Sequence, residues 1–487
     1  MTRTPSPVVR ALLSASLLLV AAAGARAQSV SAPAGGRAKP ATAPAGRMDR
    51  LTPGSPLDGP KLLPDSTTFE AWRLPNGIRV VSLRVPRSAG VAVTVAYPTG
   101  TDRDPPGRPG TALLLAELQL TAPAGSVPAR SRTDLEALRP LGWSLKVGRR
   151  ATQMSEVVSR AQLPGTLRQI ATRMRGVTVD EAAIRAAAAT VRRDRGEQMF
   201  GTVDQSLYFQ VRELAYGAPS KDLPAIAAAG ALDGLAVPEV VKALAEAFDP
   251  ARAVVSIAGD FASSELHALV ASEMGAIPAG AGGAPAAAPA PSFRATAVAS
   301  ARPGISEPAG VVAVSAPALT DSLHPRFLLA MLLAGEHVKR EWRLSREVAT
   351  RFRYNLLDEP DLVRFYPPVA ADSLRPSALA NELRSSLARL VSMIVLPSEW
   401  NEFRYSVLWI LGGPMPPRVL ALVRTDGAAL NNLGNNLAAR ELSGGERFWS
   451  EYRRRFLAGR EPGLTQWAGY VVRPEHQAVL LFTPAGR

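Results

Sequence analysis

Two kinds of apolar pattern alternate along the chain from about Phe69 to the C-terminus. In short segments such as 78–85 and 91–97, apolar residues alternate with polar ones or form a brief continuous run, which predicts β-strands. In longer segments such as 377–394, apolar residues recur three and four positions apart, which predicts amphipathic helices. The alternation predicts an ordered globular protein built from both strands and helices.

A segment rich in Pro, Ala and Gly, 278–292, divides this pattern in two. The apolar strands at Val91 and Val254 are 163 residues apart, and those at Val311 and Val479 are 168 residues apart. Similar spans on both sides of a linker suggest an internal duplication. We therefore predict a linker between an N-terminal domain over 67–277 and a C-terminal domain over 293–487.

The N-terminus has the pattern of a secretory signal peptide. Arg3 and Arg10 precede an apolar run at 11–20, and the small residues of Ala25-Arg26-Ala27 offer a cleavage site after Ala27. This run is too short for a membrane-spanning helix. The sequence predicts removal of residues 1–27, a Pro/Ala/Gly-rich tether over 28–66, and a periplasmic or secreted mature protein.

Composition excludes several classes of protein. The chain has no Cys, so it has neither disulfide bonds nor a thiolate metal site. Its formal charge of +14 becomes +11 without the three arginines of the signal peptide. The basic residues are scattered, without the dense basic run and interleaved aromatic residues that are typical of nucleic-acid binding. No later stretch reaches the roughly 18 apolar residues of a membrane helix. We expect no nucleic-acid partner and no membrane span.

The stretch 109–120 is the most informative part of the chain. It is almost entirely apolar, follows a loop rich in Pro and Gly, and predicts a buried helix. It resembles the active-site helix of the insulinase-like (pitrilysin) metallopeptidases, which carry the zinc motif H-x-x-E-H after a Gly-x-Ala lead-in. The lead-in is present at 110–112. The motif letters are replaced by Leu113 for the first His, Ala116 for the Glu and Glu117 for the second His.

The resemblance extends over nearly all of the chain from about Phe69 onward. Segment 74–80 is similar to the opening strand of the family, 253–266 to the strand, Gly-Asp turn and helix that close its first half, and 333–347 to the start of its second half. The resemblance implies an α+β fold of two homologous halves. Each half would be a mixed, mostly antiparallel sheet with helices on one face, and the halves would form a clamshell around an extended peptide.

In active members, two His side chains one helical turn apart and a downstream Glu hold zinc, and the Glu of the motif activates the zinc-bound water. The downstream ligand position falls on Asp194. Leu113 has no metal ligand and Ala116 has no base, and the chain's four His are all far along the sequence from this helix. The resemblance therefore implies the fold without the catalytic residues, and no cofactor.

Glu117 and Asp194 allow two interpretations. They could form a weak two-carboxylate site for a hard cation. Alternatively, Glu117 pairs with an arginine such as Arg192 or Arg193. We favour the ion pair.

The second half offers two further candidates. Arg346 and Tyr354 are the nearest matches to the Arg and Tyr with which active members hold substrate. The alternative roles are a packed surface arginine and a half-buried tyrosine.

Three hypotheses for function follow from the resemblance. The first is a catalytically inactive subunit that pairs with an active insulinase-like peptidase and helps to enclose and bind its peptide substrate. The alternative is a zinc metalloendopeptidase of the same family with a rebuilt active site, which alone would need zinc. The third is a free-standing clamp that binds peptides.

Overall fold

The computed structural model describes most of the chain. The described residues are 61–62, 67–105, 107–216, 232–282, 292–342, 348–370, 373–392, 404–405, 407–458 and 462–485. The predicted signal peptide and most of the predicted tether and linker lie outside these ranges. Residues 61–62 of the predicted tether form a short strand instead.

The N-terminal half forms a seven-stranded sheet. Its strands are β1 (Lys61–Leu62), β2 (Thr68–Arg73), β3 (Arg79–Arg84), β4 (Val91–Tyr97), β5 (Trp143–Val147), β6 (Thr152–Val158) and β7 (Val254–Gly259). Their order across the sheet is β1-β2-β3-β7-β4-β6-β5. Only β3 and β7 are parallel neighbours, and the other pairs are antiparallel. The seven residues of β4 are all buried, and β5 lies at one edge.

Seven helices of the N-terminal half are described. They are α1 (Thr111–Thr121), α2 (Arg132–Leu138), α3 (Leu163–Met174), α4 (Glu181–Phe200), α5 (Val203–Tyr216), α6 (Val237–Ala247) and α7 (Ser263–Met274). Apolar side chains of α1, α3, α4, α6 and α7 form one core with one face of the sheet. Val93, Val255 and Ile257 point into this core from the sheet. Their alternate neighbours in the strands point to the opposite face.

The C-terminal half forms a five-stranded sheet. Its strands are β8 (Thr296–Arg302), β9 (Ala309–Ser315), β10 (Phe352–Tyr354), β11 (Leu362–Phe365) and β12 (Gln477–Pro484), in the order β10-β11-β9-β12-β8. Only β8 and β12 are parallel. Its described helices are α8 (His324–Glu341), α9 (Pro376–Ser392), α10 (Pro417–Thr425), α11 (Gly427–Leu442), α12 (Gly445–Leu457) and α13 (Pro462–Val471).

The two halves exchange helices across their sheets. Leu430, Leu433 and Leu437 of α11 pack on the outer face of the N-terminal sheet. Conversely, α5 packs on the outer face of the C-terminal sheet. Gly434 permits the close approach of α11, because a Cβ there would lie 2.9 Å from Thr94 Oγ1. Each sheet is therefore covered on one face by its own half and on the other by a helix of the opposite half.

The predicted fold class is confirmed: the chain is α+β, with two mixed, mostly antiparallel sheets that carry the helices of their own half on one face. The exchanged helices were not predicted, and they fix the two halves against each other. None of the described helices combines the length and apolar character that a membrane crossing requires.

Candidate functional site

Helix α1 is fixed at both ends by charged side chains. At its start, Gly110 has the left-handed φ of 94°, and Asp104 accepts hydrogen bonds from the backbone N–H of Gly110 (2.6 Å) and Ala112 (2.7 Å). At its end, Arg130 Nε donates to Leu120 O (3.0 Å), and Arg173 donates to the carbonyl that follows the helix. A carboxylate at the N-terminus and guanidiniums at the C-terminus both complement the helix dipole. Helix α1 therefore keeps a defined position although the residues of the zinc motif are replaced.

A cluster that we call the cavity triad joins Arg132 to Glu117 and Asp194, the two residues that the motif comparison aligned with metal ligands. Arg132 Nη2 is 2.7 Å from Glu117 Oε2, and its Nη1 is 2.5 Å from Asp194 Oδ2. Nε of Arg132 also donates to Glu117 (3.1 Å). Burial alone would lower the pKa of Arg132, but hydrogen bonds and charge from the two carboxylates raise it overall. A guanidinium cation therefore joins the two carboxylates that the motif comparison aligned with metal ligands.

The predicted ion pair of Glu117 is present, but the predicted partner was wrong. Its partner is Arg132 of α2. Arg192 pairs with Asp233 instead, at 2.7 Å. Arg193 approaches Asp194 only at 3.6 Å.

The residues at the motif positions do not fit a zinc ion. Leu113 lines a cavity with an apolar side chain, and Ala116 is completely buried in the core of the N-terminal half. The two carboxylates are already bound to Arg132. In the described part of the chain, no group of three or more His, Cys, Asp or Glu side chains could hold a metal ion.

A second cluster, which we call the buried triad, lies next to the end of α1 and consists of Glu156, Arg130 and Arg139. Glu156 of β6 accepts from Arg130 Nη2 at 2.7 Å and from Arg139 Nε at 2.5 Å. Burial alone would raise the pKa of Glu156, but the two guanidiniums hold it below its usual value. All three side chains are less than 9% exposed. This cluster ties the segment around α2 to the sheet.

A cavity of about 430 Å³ opens beside the cavity triad, between the two halves. One wall is the edge strand β5, and all five of its residues line the cavity. The helices α4 and α5 form further walls, and the C-terminal half contributes Asn355, Asp358 and Glu359. Glu359 is held by a residue from each half. Its Oε2 accepts a hydrogen bond from the hydroxyl of Tyr208 on α5 (2.9 Å) and lies 2.8 Å from Arg364 on β11.

Strand β5 has backbone groups at the outer edge of the sheet that have no partner among the described residues. The register pairs Ser144 with Ser155 and Lys146 with Gln153, and the flanking bonds Val157 N–H to Gly142 O and Gly148 N–H to Ala151 O continue the same alternation. In an antiparallel ladder, the residues between these pairs direct their N–H and C=O groups outward. Trp143, Leu145 and Val147 therefore present hydrogen-bonding backbone at the edge of the sheet. An extended chain could add to this edge.

The substrate-holding role of Arg346 and Tyr354 stays a prediction. Arg346 lies outside the described residues. Tyr354 is 3% exposed, and its hydroxyl donates to Pro360 O (2.8 Å) and lies 2.8 Å from His324 Nε2. The position of Tyr354 agrees better with a packing role, and the side chain is buried rather than half-buried.

Sequence reasoning did not find Arg132 or the role of β5. Arg132 is 15 and 62 residues away from its two partners in the sequence, and this separation hid the pairing. The alternation of Trp143, Leu145 and Val147 was a usable signal for β5. No pattern in the sequence indicated that 355–359 would face this strand.

The fold is similar to that of solved insulinase-family peptidases, among them pitrilysin. The structure is similar to a protease from Helicobacter pylori, with 17% identity, a TM-score of 0.62, and coverage of 85% of this chain and 99% of that one.

Two further solved structures give the same result. The periplasmic protease PqqL from Escherichia coli has 13% identity and a TM-score of 0.64 over 88% of this chain and 48% of that one. The peptidase M16 inactive domain from Pseudomonas fluorescens has 12% identity and a TM-score of 0.59 over 86% of this chain and 98% of that one. No protein-family model matches the sequence, and no curated protein does so. At these identities the likeness establishes the fold.

Proposed function

We propose that this protein is an exported insulinase-family homologue without peptidase activity, and that it serves as the non-catalytic subunit of a heterodimeric peptidase. Its role is to help enclose and bind the peptide substrate. The observation that carries the proposal is the position of Arg132 between Glu117 and Asp194.

A guanidinium at this position opposes metal chemistry in two ways. It uses the carboxylate oxygens that a cation would need, and it places a positive charge where a second cation would have to bind. Leu113 and Ala116 supply neither a ligand nor a base. The chain therefore contributes no catalytic step of its own.

The same region keeps what peptide binding requires. The cavity is bounded by both halves, and the outward backbone groups of Trp143, Leu145 and Val147 can pair with an extended peptide. Strand addition to a sheet edge supplies affinity through main-chain hydrogen bonds, and neighbouring pockets supply specificity. A chain that binds peptides without cleaving them can present substrate to a second subunit that provides the metal.

Two of the comparisons support this proposal. One neighbour is described as an inactive domain of a peptidase. PqqL is about twice as long as the aligned region, so that a unit of this size is part of a larger chain there. The signal-peptide pattern at 1–27 supports export, and PqqL is described as periplasmic.

The direct test is co-expression with those exported insulinase-like peptidases of the source organism that have an intact H-x-x-E-H motif. We expect one of them to form a stable complex with the mature chain, measured as mass after size exclusion, and to cleave peptides faster in the complex. An obligate pairing should bury more than about 2,000 Å².

A monomer that neither joins such a peptidase nor changes its turnover would contradict the subunit role. If that monomer still binds peptides, the protein is a free-standing clamp.

A further inference from the structure

Among the described residues, four cationic side chains line the cavity, and three of them are neutralised by carboxylates. Arg132 pairs with Glu117 and Asp194. Arg195 pairs with Glu213 at 3.7 Å, and Arg212 pairs with Glu359 at 3.3 Å. The fourth cation, Lys146, makes no ion pair within the described residues, and its Nζ lies 3.5 Å from Asn432 Oδ1. Lys146 is therefore the cavity-lining cation whose charge is left for a ligand.

Lys146 occupies a defined position on the edge strand. Its own backbone groups bond to Gln153 of β6, so Leu145 and Val147 on either side of it bond outward. Its side chain lies on the face that is covered by α11, where Ser144 receives a hydrogen bond from Asn435 at 3.1 Å. The Lys146 residue is half-buried, and the neighbour of its ammonium group that the hydrogen bonds identify is the amide oxygen of Asn432.

A peptide that adds to β5 in the antiparallel direction would place one of its residues directly opposite Lys146. The peptide residue opposite Lys146 would form a non-hydrogen-bonded pair with it, and side chains are closest in such pairs. Opposite charges in directly facing positions stabilise a sheet, and like charges destabilise it. Asp or Glu at that peptide position would reach the unpaired ammonium.

We propose that Lys146 makes the β5 edge selective for extended peptides that carry an acidic side chain at the residue opposite it. This inference rests on the proposed peptide-binding function and adds the chemical class of the ligand. The residues that the C-terminal half contributes to the cavity limit the preference to that one position. There, Asp358 accepts a hydrogen bond from Asn355 (2.9 Å) and, among the described residues, forms no ion pair. An acidic residue near Asp358 would be repelled.

The test uses the mature full-length protein and a set of short, fluorescently labelled peptides of β-forming residues. The peptides differ only in carrying Glu, Gln or Lys at one position, which is moved along the sequence. We expect Glu to bind about two- to five-fold more tightly than Gln at one position and Lys to bind more weakly there, as measured by fluorescence anisotropy. The preference should shrink at high salt.

Two substitutions assign the preference to Lys146. Lys146→Gln should abolish the difference between Glu and Gln peptides, and Lys146→Glu should reverse it. The matched control is Lys242→Glu on α6, a side chain that is 80% exposed and does not line the cavity. Lys242→Glu changes the net charge by as much as Lys146→Glu does, and it should leave the preference for Glu peptides intact. Unchanged thermal unfolding of the variants would confirm that they fold.

Binding of the Gln peptides distinguishes a failure of this inference from a failure of the proposed peptide-binding function on which it rests. If they bind but Glu binds no more tightly at any position, or if the preference survives Lys146→Glu, the role of Lys146 is wrong and peptide binding stands. If no peptide of the set binds, the proposed peptide-binding function and this inference are both overturned.

Discussion

The cavity triad and the buried triad are both arginine–carboxylate clusters next to α1, but their surroundings differ. In the buried triad, Glu156 and its two arginines are less than 9% exposed. In the cavity triad, Arg132 is 32% and Asp194 is 26% exposed, and only Glu117 is buried. Breaking a buried ion pair leaves an uncompensated charge, whereas exposed pairs contribute little. We infer that the buried triad contributes more to the stability of the fold than the cavity triad does.

The largest effect should come from the buried triad. Glu156→Ala leaves Arg130 and Arg139 without their carboxylate and should lower the free energy of unfolding by about 3–5 kcal/mol. The matched variant in the cavity triad, Asp194→Ala, should lower it by less than about 1 kcal/mol, because Asp194 is partly exposed. Chemical denaturation of both variants measures the difference. Equal losses would remove the distinction between the two clusters.

Removing the cation of the cavity triad should have an intermediate effect. Arg132→Met leaves the buried Glu117 without its main partner, which should destabilise the protein by about 1–3 kcal/mol. Two carboxylates without imidazole ligands should still not retain zinc. Denaturation and metal analysis of the dialysed variant test both statements. Stoichiometric zinc in this variant would show that Arg132 alone excludes the metal.

The protonation of Asp104 at the start of α1 can be tested through the pH dependence of stability. Burial raises its pKa to about 6, although the N–H groups of Ala112 and Gly110 oppose the shift. An unfolded Asp has a pKa of about 3.9. The folded protein therefore holds this proton more tightly, and the stability that this gives is present at low pH and is lost as the pH rises through about 6.

Between about pH 5 and about pH 7, the wild type should lose about 1 kcal/mol relative to Asp104→Asn, which cannot titrate. Unfolding of both proteins at the two pH values gives the comparison. Parallel curves would show that Asp104 is not protonated in this range.

Restoring the motif should have the smallest effect. We expect no peptidase activity from the combined substitutions Leu113→His, Ala116→Glu and Glu117→His. Arg132 would remain beside the metal position, and Asp194 is one methylene shorter than the usual Glu ligand. Zinc–oxygen bonds require about 2.0–2.2 Å. Turnover of a quenched fluorescent peptide is the measurement, and any chelator-sensitive cleavage would contradict the expectation.

Local elements could be predicted well from the sequence. The apolar stretch 109–120 is α1 at Thr111–Thr121, and the amphipathic stretch 377–394 corresponds to α9, which begins at Pro376. An apolar face, however, shows only that a helix is buried and not which sheet covers it. The packing of α11 on the opposite sheet could not be predicted for this reason.

The chemistry of the site depended on contacts between distant residues. Arg192 and Arg193 were chosen because they are near Asp194 in sequence. In the structure Arg192 pairs with Asp233, and Arg193 approaches Asp194 rather than Glu117. Arg132 reaches both carboxylates because the fold brings the first residue of α2 within ion-pair distance of Glu117 on α1 and Asp194 on α4.

If Arg132 takes the place of the metal, the chain should hold no zinc and have no peptidase activity. The most direct measurement is zinc per chain in the purified, dialysed mature protein, together with turnover of a quenched fluorescent peptide in the presence of added zinc. We predict zinc far below one ion per chain and no turnover. Near-stoichiometric zinc with cleavage that a chelator abolishes would contradict the account.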